Sequence, residues 1–200
     1  ATAGRLYSGH EGAGVANVLI VDDERSIRTT LAEFIREDGH GVRTAESAAE
    51  ALRAVDDEAA DILITDIILP GMNGVDLLRR VHAAHPDTQV IVITGEPTVD
   101  TASEAVRQGA FDYLAKPISG EEIRAAVLRA ARVRSLIDER RRLEAENQRH
   151  REHLEEEIAR ATSELRASET RYRAVVESAS EAIFVAQHGV LPFANAAATV

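Results

Sequence analysis

The protein has 200 residues, 44% of them hydrophobic, which is enough to bury the core of one ordinary domain and leave an extended part. No apolar run reaches the roughly eighteen residues of a membrane span, no secretory leader is evident and there is no cysteine, so we expect a cytoplasmic protein without membrane contact, disulfides or a thiolate metal site. The net charge of −11 argues against a nucleic-acid surface in this segment, because phosphate backbones bind basic stripes.

The chain begins with a glycine-rich stretch that has no apolar period. We interpret residues 1–16 as a disordered lead-in without a function of its own. Because the chain starts without Met and its last pattern is incomplete, we expect it to be an excerpt from a longer protein.

From Val18 onward, short apolar runs alternate with amphipathic helical patterns. Weaker strand patterns occur at residues 41–43 and 111–114. Three runs are continuous and β-branched, as strands buried on both faces should be: 18–21, 61–65 and 90–93. Strict alternation predicts an α/β fold with a doubly wound, five-stranded parallel sheet, which we place within residues 17–132.

A long helical pattern begins near Glu121 and contains neither Gly nor Pro as far as Gln187. Apolar or small residues recur in it at steps of four and three, with one stutter near Leu154, which predicts a coiled coil over residues 133–171. A solvated single helix is the alternative, because polar residues also occupy positions of the seam: Arg140, Asn147 and His150.

Residues 172–200 contain two apolar stretches separated by the dipeptide His188-Gly189. This pattern predicts a helix that leads into a two-stranded hairpin. Since a lone hairpin is only marginally stable in water, we expect the segment to be the truncated start of a further domain.

Polar residues follow the predicted parallel strands at their carboxyl ends. Asp22 and Asp23 follow the first strand, Asp66 the third, Thr94 the fourth and Lys116 the fifth. In open α/β sheets this edge is where ligands bind, so we expect three carboxylates, a hydroxyl and an ammonium to meet on one rim.

Three clustered carboxylates repel one another unless a cation lies among them, which predicts a hard divalent ion, with Mg²⁺ preferred. The lack of cysteine and of a converging histidine argues against zinc. An aspartate can attack phosphorus and form an acyl phosphate, while Lys116 and Thr94 are the remaining donors for the transferring oxygens. Taken singly, Asp22 and Asp23 could instead cap the following helix.

Four segments around these residues resemble the response-regulator receiver family of two-component signalling. They are VDDE at 21–24, DIILPGMNG at 66–74, VITG at 92–95 and GAFDYLAKP at 109–117. Their joint occurrence in this order is far more specific than any one of them. The resemblance extends over the whole predicted α/β region, shows no departure at a motif position, and implies a flavodoxin-like sheet of strand order 2-1-3-4-5.

The resemblance also implies roles for the acidic residues. Asp66 would be the phosphoacceptor, and a histidine kinase or phosphotransfer protein would be its donor. Asp23 would bind Mg²⁺ directly, Asp22 largely through water, and Ile68 through its main-chain carbonyl.

By the same resemblance, Thr94 and Lys116 would hold the phosphoryl group, and Tyr113 would be an aromatic switch. Tyr113 is also an ordinary core aromatic, which is compatible with switching. The Lys116–Pro117 bond would be cis, in keeping with the small cis penalty of bonds before proline.

Residues 165–195 resemble the linker and opening of a PAS sensor domain. We therefore expect a homodimer that relays the receiver's state through the coiled coil to a PAS or output module, which could be a histidine kinase or a cyclic-dinucleotide enzyme. No separate catalytic domain is assigned within the segment. Two alternatives stay open: a dimerisation scaffold with a silent receiver, and an aspartate-nucleophile phosphatase, although such phosphatases carry a second Asp where this chain has Ile68.

Overall fold

The computed structural model describes residues 14–187 and 190–199, so most of the predicted lead-in and the His188-Gly189 turn lie outside the described residues. Strands and helices alternate in the first part of the chain, as predicted. Their bounds are β1 (Asn17–Val21), α1 (Arg25–Glu37), β2 (Gly41–Ala45), α2 (Ala48–Asp57), β3 (Ile62–Asp66), α3 (Gly74–Ala84), β4 (Gln89–Thr94), α4 (Val99–Arg107), β5 (Asp112–Ala115) and α5 (Gly120–Glu177).

The five strands form one parallel sheet in the order β2-β1-β3-β4-β5. This confirms the predicted doubly wound, flavodoxin-like fold. The chain starts at β1, moves out to β2 and then crosses back to β3 on the other side of β1. The strand order therefore reverses between β1 and β3, and a crevice opens there at their carboxyl ends.

Side chains of the sheet alternate between two buried layers. One face, represented by Leu19 and Leu63, packs against α2, α3 and α4. The opposite face, represented by Ile20 and Ile64, packs against α1 and α5. Because the central strands are buried on both faces, they are rigid supports for the loops that follow them.

Polar caps fix the start of three helices that cover the sheet. Ser47 caps α2 by accepting from the Glu50 amide, and Asn73 caps α3. Thr98 and Thr101 form a reciprocal capping box at the start of α4. These caps satisfy amide groups that a helix leaves unpaired at its amino end, so each helix begins at a defined residue.

Helix α5 has 58 residues, and its buried residues lie in its first part, from Ile123 to Ala131. Chain contacts divide the protein into two compact units, residues 1–141 and 142–200. Among the described residues, no helix combines the length and the apolar character that crossing a membrane requires.

In the second unit, α5 ends at Glu177 and is followed by β6 (Phe184–Gln187), β7 (Val190–Ala194) and a short 3-10 helix (Ala196–Thr199). The two strands pair antiparallel, which confirms the predicted hairpin. Asn195 is buried and holds this corner together, because its amide donates to the carbonyls of Val176 and Glu181 at 3.1 and 2.9 Å.

Candidate functional site

Three carboxylates meet at the crevice where the strand order reverses. Asp22 directly follows β1, and Asp66 is the last residue of β3, next to β1 in the sheet. Asp22, Asp23 and Asp66 each offer an oxygen within 4.8 Å of the others. Asp22 and Asp66 are buried, with 0% and 6% of their surface exposed, whereas Asp23 is exposed. The predicted convergence of these residues on one rim is therefore present.

Lys116 forms hydrogen bonds with both buried carboxylates. Its Nζ donates to Asp22 Oδ2 at 2.8 Å and to Asp66 Oδ2 at 2.6 Å. Burial by itself lowers the pKa of Lys116, but the hydrogen bonds and charges of the two aspartates outweigh burial, and the net effect raises the pKa. The ammonium is therefore charged at neutral pH. The Lys116–Pro117 bond is cis, as the resemblance implied.

The main chain around Asp22 and Asp66 also holds their carboxylates. Asp22 Oδ1 accepts from the Glu24 amide at 2.8 Å, and Asp66 Oδ1 accepts from the Ile68 amide at 3.1 Å. The residue that caps α1 is Glu24, and its side chain makes no capping hydrogen bond. The plainer interpretation, that the acidic pair after β1 caps the helix, is therefore not what the structure shows.

Gly74 approaches the main chain of Asp66 more closely than any side chain would allow. A Cβ atom at this position would lie 2.0 Å from the Asp66 carbonyl oxygen, and the Gly74 amide donates to the Ile67 carbonyl at 2.8 Å. No role was predicted for Gly74 from the sequence. Gly74 is the last residue of the DIILPGMNG motif and directly follows the asparagine that caps α3, at a helix position where glycine is less favourable than other residues.

Thr94 and Tyr113 lie on neighbouring strands, but the structure gives them different partners. Thr94 is buried, and its Oγ1 accepts from the Glu96 amide at 3.1 Å. Tyr113 is half-buried, packs against the layer under α4, and shares a 2.8 Å hydrogen bond with Thr101 Oγ1. The contact of Thr101 with Tyr113 was not predicted, because nothing in the spacing of Thr101 relates it to β5.

The donor set of the rim suits a hard cation. All three clustered side chains offer carboxylate oxygens, and the buried pair is held by fixed hydrogen bonds. Oxygen ligands of this kind are what Mg²⁺ and similar ions prefer in proteins. The acidic cluster can therefore bind a divalent metal.

A groove of about 520 Å³ lies beside Lys116, between α1 and the loop that follows β5. Its walls are partly apolar. The residues that line it are Ser26, Ile27, Thr30, Leu31, Gly95, Lys116, Pro117 and Ile118. Lys116 is the residue through which this groove meets the rim.

Comparison with known proteins agrees with this geometry. Residues 18–128 match the model of the response regulator receiver domain. The chain is 41% identical over 115 residues to the DNA-binding transcriptional regulator NtrC of Azospirillum brasilense, which covers 58% of this chain and 24% of that protein. It is 34% identical over 164 residues to the alginate biosynthesis transcriptional regulatory protein AlgB of Pseudomonas aeruginosa, which covers 82% of this chain and 34% of that protein.

Solved structures show the same relationship. A response regulator receiver domain protein from Clostridium thermocellum superposes with a TM-score of 0.59 at 34% identity, covering 62% of this chain and 99% of that one. NtrX from Brucella abortus gives a TM-score of 0.61 at 35% identity, covering 65% of this chain and 30% of that one. The chain spans about a quarter to a third of the length of the curated relatives named above. From its sheet order, its acidic rim and the match over residues 18–128, the chain belongs to the response regulator receiver domain family of two-component systems.

Proposed function

We propose that Asp66 accepts a phosphoryl group from a histidine kinase or a phosphotransfer protein. The observation that carries this proposal is the Lys116 ammonium, which contacts both Asp22 and Asp66 at the carboxyl edge of the sheet. A buried carboxylate that accepts hydrogen bonds from an ammonium and from a main-chain amide has a fixed position at the rim, which suits a nucleophile.

In the proposed transfer, one oxygen of Asp66 bonds to phosphorus while the bond from phosphorus to the donor's imidazole nitrogen breaks. The electron pair of that bond leaves with the imidazole. Lys116 and the Thr94 hydroxyl then hold the phosphoryl oxygens, because they are the cation and the hydroxyl that end neighbouring strands at this rim. The groove beside Lys116 supports entry of the donor side chain.

We propose that the ion is Mg²⁺, held by the carboxylates of Asp22, Asp23 and Asp66 and by the main-chain carbonyl of Ile68. When bound, the ion neutralises negative charge on the transferring oxygens. The protein's own part is to keep two of the carboxylates in place: Asp22 and Asp66 are buried, and each accepts a hydrogen bond from a main-chain amide.

We further propose that Thr94 and Tyr113 form the switch. Thr94 moves toward the phosphoryl group, and Tyr113 leaves its hydrogen bond with Thr101. Since Thr101 lies on α4, this exchange would change the surface that α4 presents beside β5.

Mass spectrometry after incubation with a small phosphodonor tests the reaction. We expect one adduct, mapped to Asp66, that requires Mg²⁺ and disappears in Asp66→Asn. Asp76→Asn is the matched control, because Asp76 is a surface carboxylate on α3 that pairs with Arg79. An adduct that persists in Asp66→Asn, or that forms equally well in a chelator, would contradict the proposal. A wild-type protein that forms no adduct but still dimerises would favour the silent scaffold.

We also propose that α5 pairs with the same helix of a second copy, that residues 133–171 are a coiled-coil linker, and that residues 172–200 begin a PAS domain. Large apolar side chains that follow the heptad steps remain exposed on the single helix, which supports a missing helical partner. These residues are Leu136, Leu143, Leu154, Ile158, Leu165, Tyr172 and Val175.

Cysteine cross-linking tests whether the state of Asp66 reaches this helix. The chain has no native cysteine, so single cysteines between Leu143 and Leu165 report pairing without background. We expect the cross-linking profile to change when a stable phosphoryl mimic occupies Asp66. An identical profile in both states would contradict signal relay through this helix.

A further inference from the structure

Arg28, on the second turn of α1, holds the loop that carries the first two acidic residues of the site. Its Nη1 donates to the main-chain carbonyl of Asp22 at 2.6 Å and to that of Asp23 at 3.0 Å. Only 15% of the side chain is exposed. The family motif and the carboxylate cluster leave this arginine without a role, because it contacts carbonyls and not carboxylates.

The contacts of Arg28 complete a frame around this loop. The Asp22 amide donates to the Ala45 carbonyl at 3.3 Å, and the Asp22 side chain accepts from the Glu24 amide. The two carbonyls that Arg28 binds belong to consecutive residues. With these carbonyls fixed, the peptide groups on both sides of the Asp23 Cα are restrained. The direction of the Asp23 Cα–Cβ bond, which carries the exposed carboxylate, is restrained with them.

Arginine suits this position for physical reasons. A guanidinium stays charged at all relevant pH values and presents several donors in one rigid plane, so a single end group can satisfy two carbonyls at once. Hydrogen bonds from a charged donor are roughly twice as strong as neutral ones. The neighbouring ion pair with Glu46 contributes little, because its atoms are 3.9 Å apart and 73% of the Glu46 side chain is exposed.

We propose that Arg28 is a positioning residue for the metal site, holding the Asp22-Asp23 main chain so that Asp23 meets the ion. The proposal rests on the proposed function, since it assumes that the ion binds at this rim. Two effects of Arg28 oppose each other. Its charge repels a divalent cation, whereas its hydrogen bonds fix a ligand, and substitution of groups that orient metal ligands typically weakens metal binding about 10- to 100-fold.

The direction in which Arg28→Met changes the Mg²⁺ affinity distinguishes positioning from charge repulsion. If positioning dominates, Arg28→Met weakens Mg²⁺ binding about tenfold, because both donors are lost. Arg28→Lys, which keeps a charged donor on a shorter side chain, weakens binding less. If repulsion dominates, Arg28→Met binds Mg²⁺ more tightly and Arg28→Lys matches the wild type.

The experiment is an NMR titration of each 200-residue chain with Mg²⁺, at a temperature where thermal unfolding shows every variant to be folded. Arg36→Met and Arg36→Lys are the matched controls, because Arg36 lies on the same helix and donates to Val42, away from the rim. We expect the controls to bind within twofold of the wild type. A loss of fold stability alone would not change the dissociation constant of the folded protein.

Unchanged or tighter Mg²⁺ binding by Arg28→Met overturns the inference while leaving the proposed metal site standing. A wild-type protein that shows no saturable shifts near Asp66 overturns the metal site itself, and the inference with it. If Arg28→Met does not fold, the comparison of Arg28→Lys with the wild type tests the inference. Weaker Mg²⁺ binding by Arg28→Lys supports positioning, and equal binding overturns it. Guanidinium protons of Arg28 that exchange slowly and couple to the carbonyls of Asp22 and Asp23 support the proposal, and freely exchanging ones overturn it.

Discussion

Gly74→Ala should lower the free energy of unfolding, because the new side chain would clash with the main chain of Asp66. The new Cβ would lie 2.0 Å from the Asp66 carbonyl oxygen and 2.8 Å from the Asp66 carbonyl carbon. Overpacking costs about 1–3 kcal/mol, and the upper value applies here because the neighbour is main chain and not a flexible side chain. Alanine recovers about 1 kcal/mol through the reduced freedom of the unfolded chain, which leaves a net loss of about 2 kcal/mol.

Urea denaturation measures this loss. With a slope of about 1.5 kcal/mol per molar, the midpoint of Gly74→Ala should fall by a little more than about 1 M. Gly95→Ala is the control, because a Cβ there would meet no atom within 4 Å and its backbone lies outside the left-handed region. We expect Gly95→Ala to unfold at or slightly above the wild-type midpoint. Equal midpoints for the two variants would refute the steric argument.

Three further predictions concern pH, metal and assembly. Burial lowers the pKa of His40, whose Nδ1 accepts from the Ala16 amide at 3.2 Å. The unfolded chain therefore binds more protons below the ordinary pKa of 6.5, so the free energy of unfolding should fall as pH drops below that value, until it passes the lowered pKa. His40→Gln should flatten this slope in urea titrations, and an unchanged slope would contradict the assignment. Mg²⁺ at about a hundred times its dissociation constant should stabilise the protein by about 2.7 kcal/mol, and chelation or Asp23→Asn should remove most of that gain in thermal unfolding. Leu154→Glu should produce monomers in light scattering, whereas Ser163→Glu, outside the seam, should not; a monomeric wild type would exclude the coiled coil.

The central strands were predictable because burial on both faces demands continuous β-branched runs. β3 and β4 are buried almost throughout, and their bounds lie within one residue of the predicted runs. β2 and β5 are edge strands with mixed exposure, and their sequence patterns are correspondingly weak. Central strands can therefore be predicted from the sequence more clearly than edge strands.

The acidic rim was predictable for a topological reason: residues that follow parallel strands share one edge of the sheet. The contacts of Thr101 and Gly74 were not, because they depend on how closely α3 and α4 pack against β3 and β5. Those distances are set by side-chain packing between elements far apart in the chain. Sequence patterns therefore predict where a strand ends, but they do not predict the distance between a helix and the sheet on which it packs.

The first part of α5 is also fixed to the opposite, amino edge of the sheet, through Arg134. Its Nε donates to Asp61 Oδ1 at 3.1 Å, just before β3, and its Nη1 lies 3.9 Å from Asp87 Oδ2, before β4. Asp138 is also close to Nη1, at 2.7 Å, but outside hydrogen-bond geometry. The Arg134 side chain is 21% exposed, so water screens these charges only in part.

Arg134→Met should therefore leave the partly buried Asp61 without its arginine partner and lower the free energy of unfolding by roughly 1–3 kcal/mol. Asp87 keeps a hydrogen bond from Arg141 and should contribute little to this loss. Arg129→Met is the matched control, because Arg129 lies on the same helix, pairs with Asp112 and is 56% exposed. Exposed pairs contribute at most about 1 kcal/mol, and less at high salt. Urea denaturation at low and high salt should show a loss for Arg134→Met that persists in salt and exceeds that of the control. Equal losses for the two variants would mean that Arg134 contributes no more to stability than an arginine in an exposed ion pair.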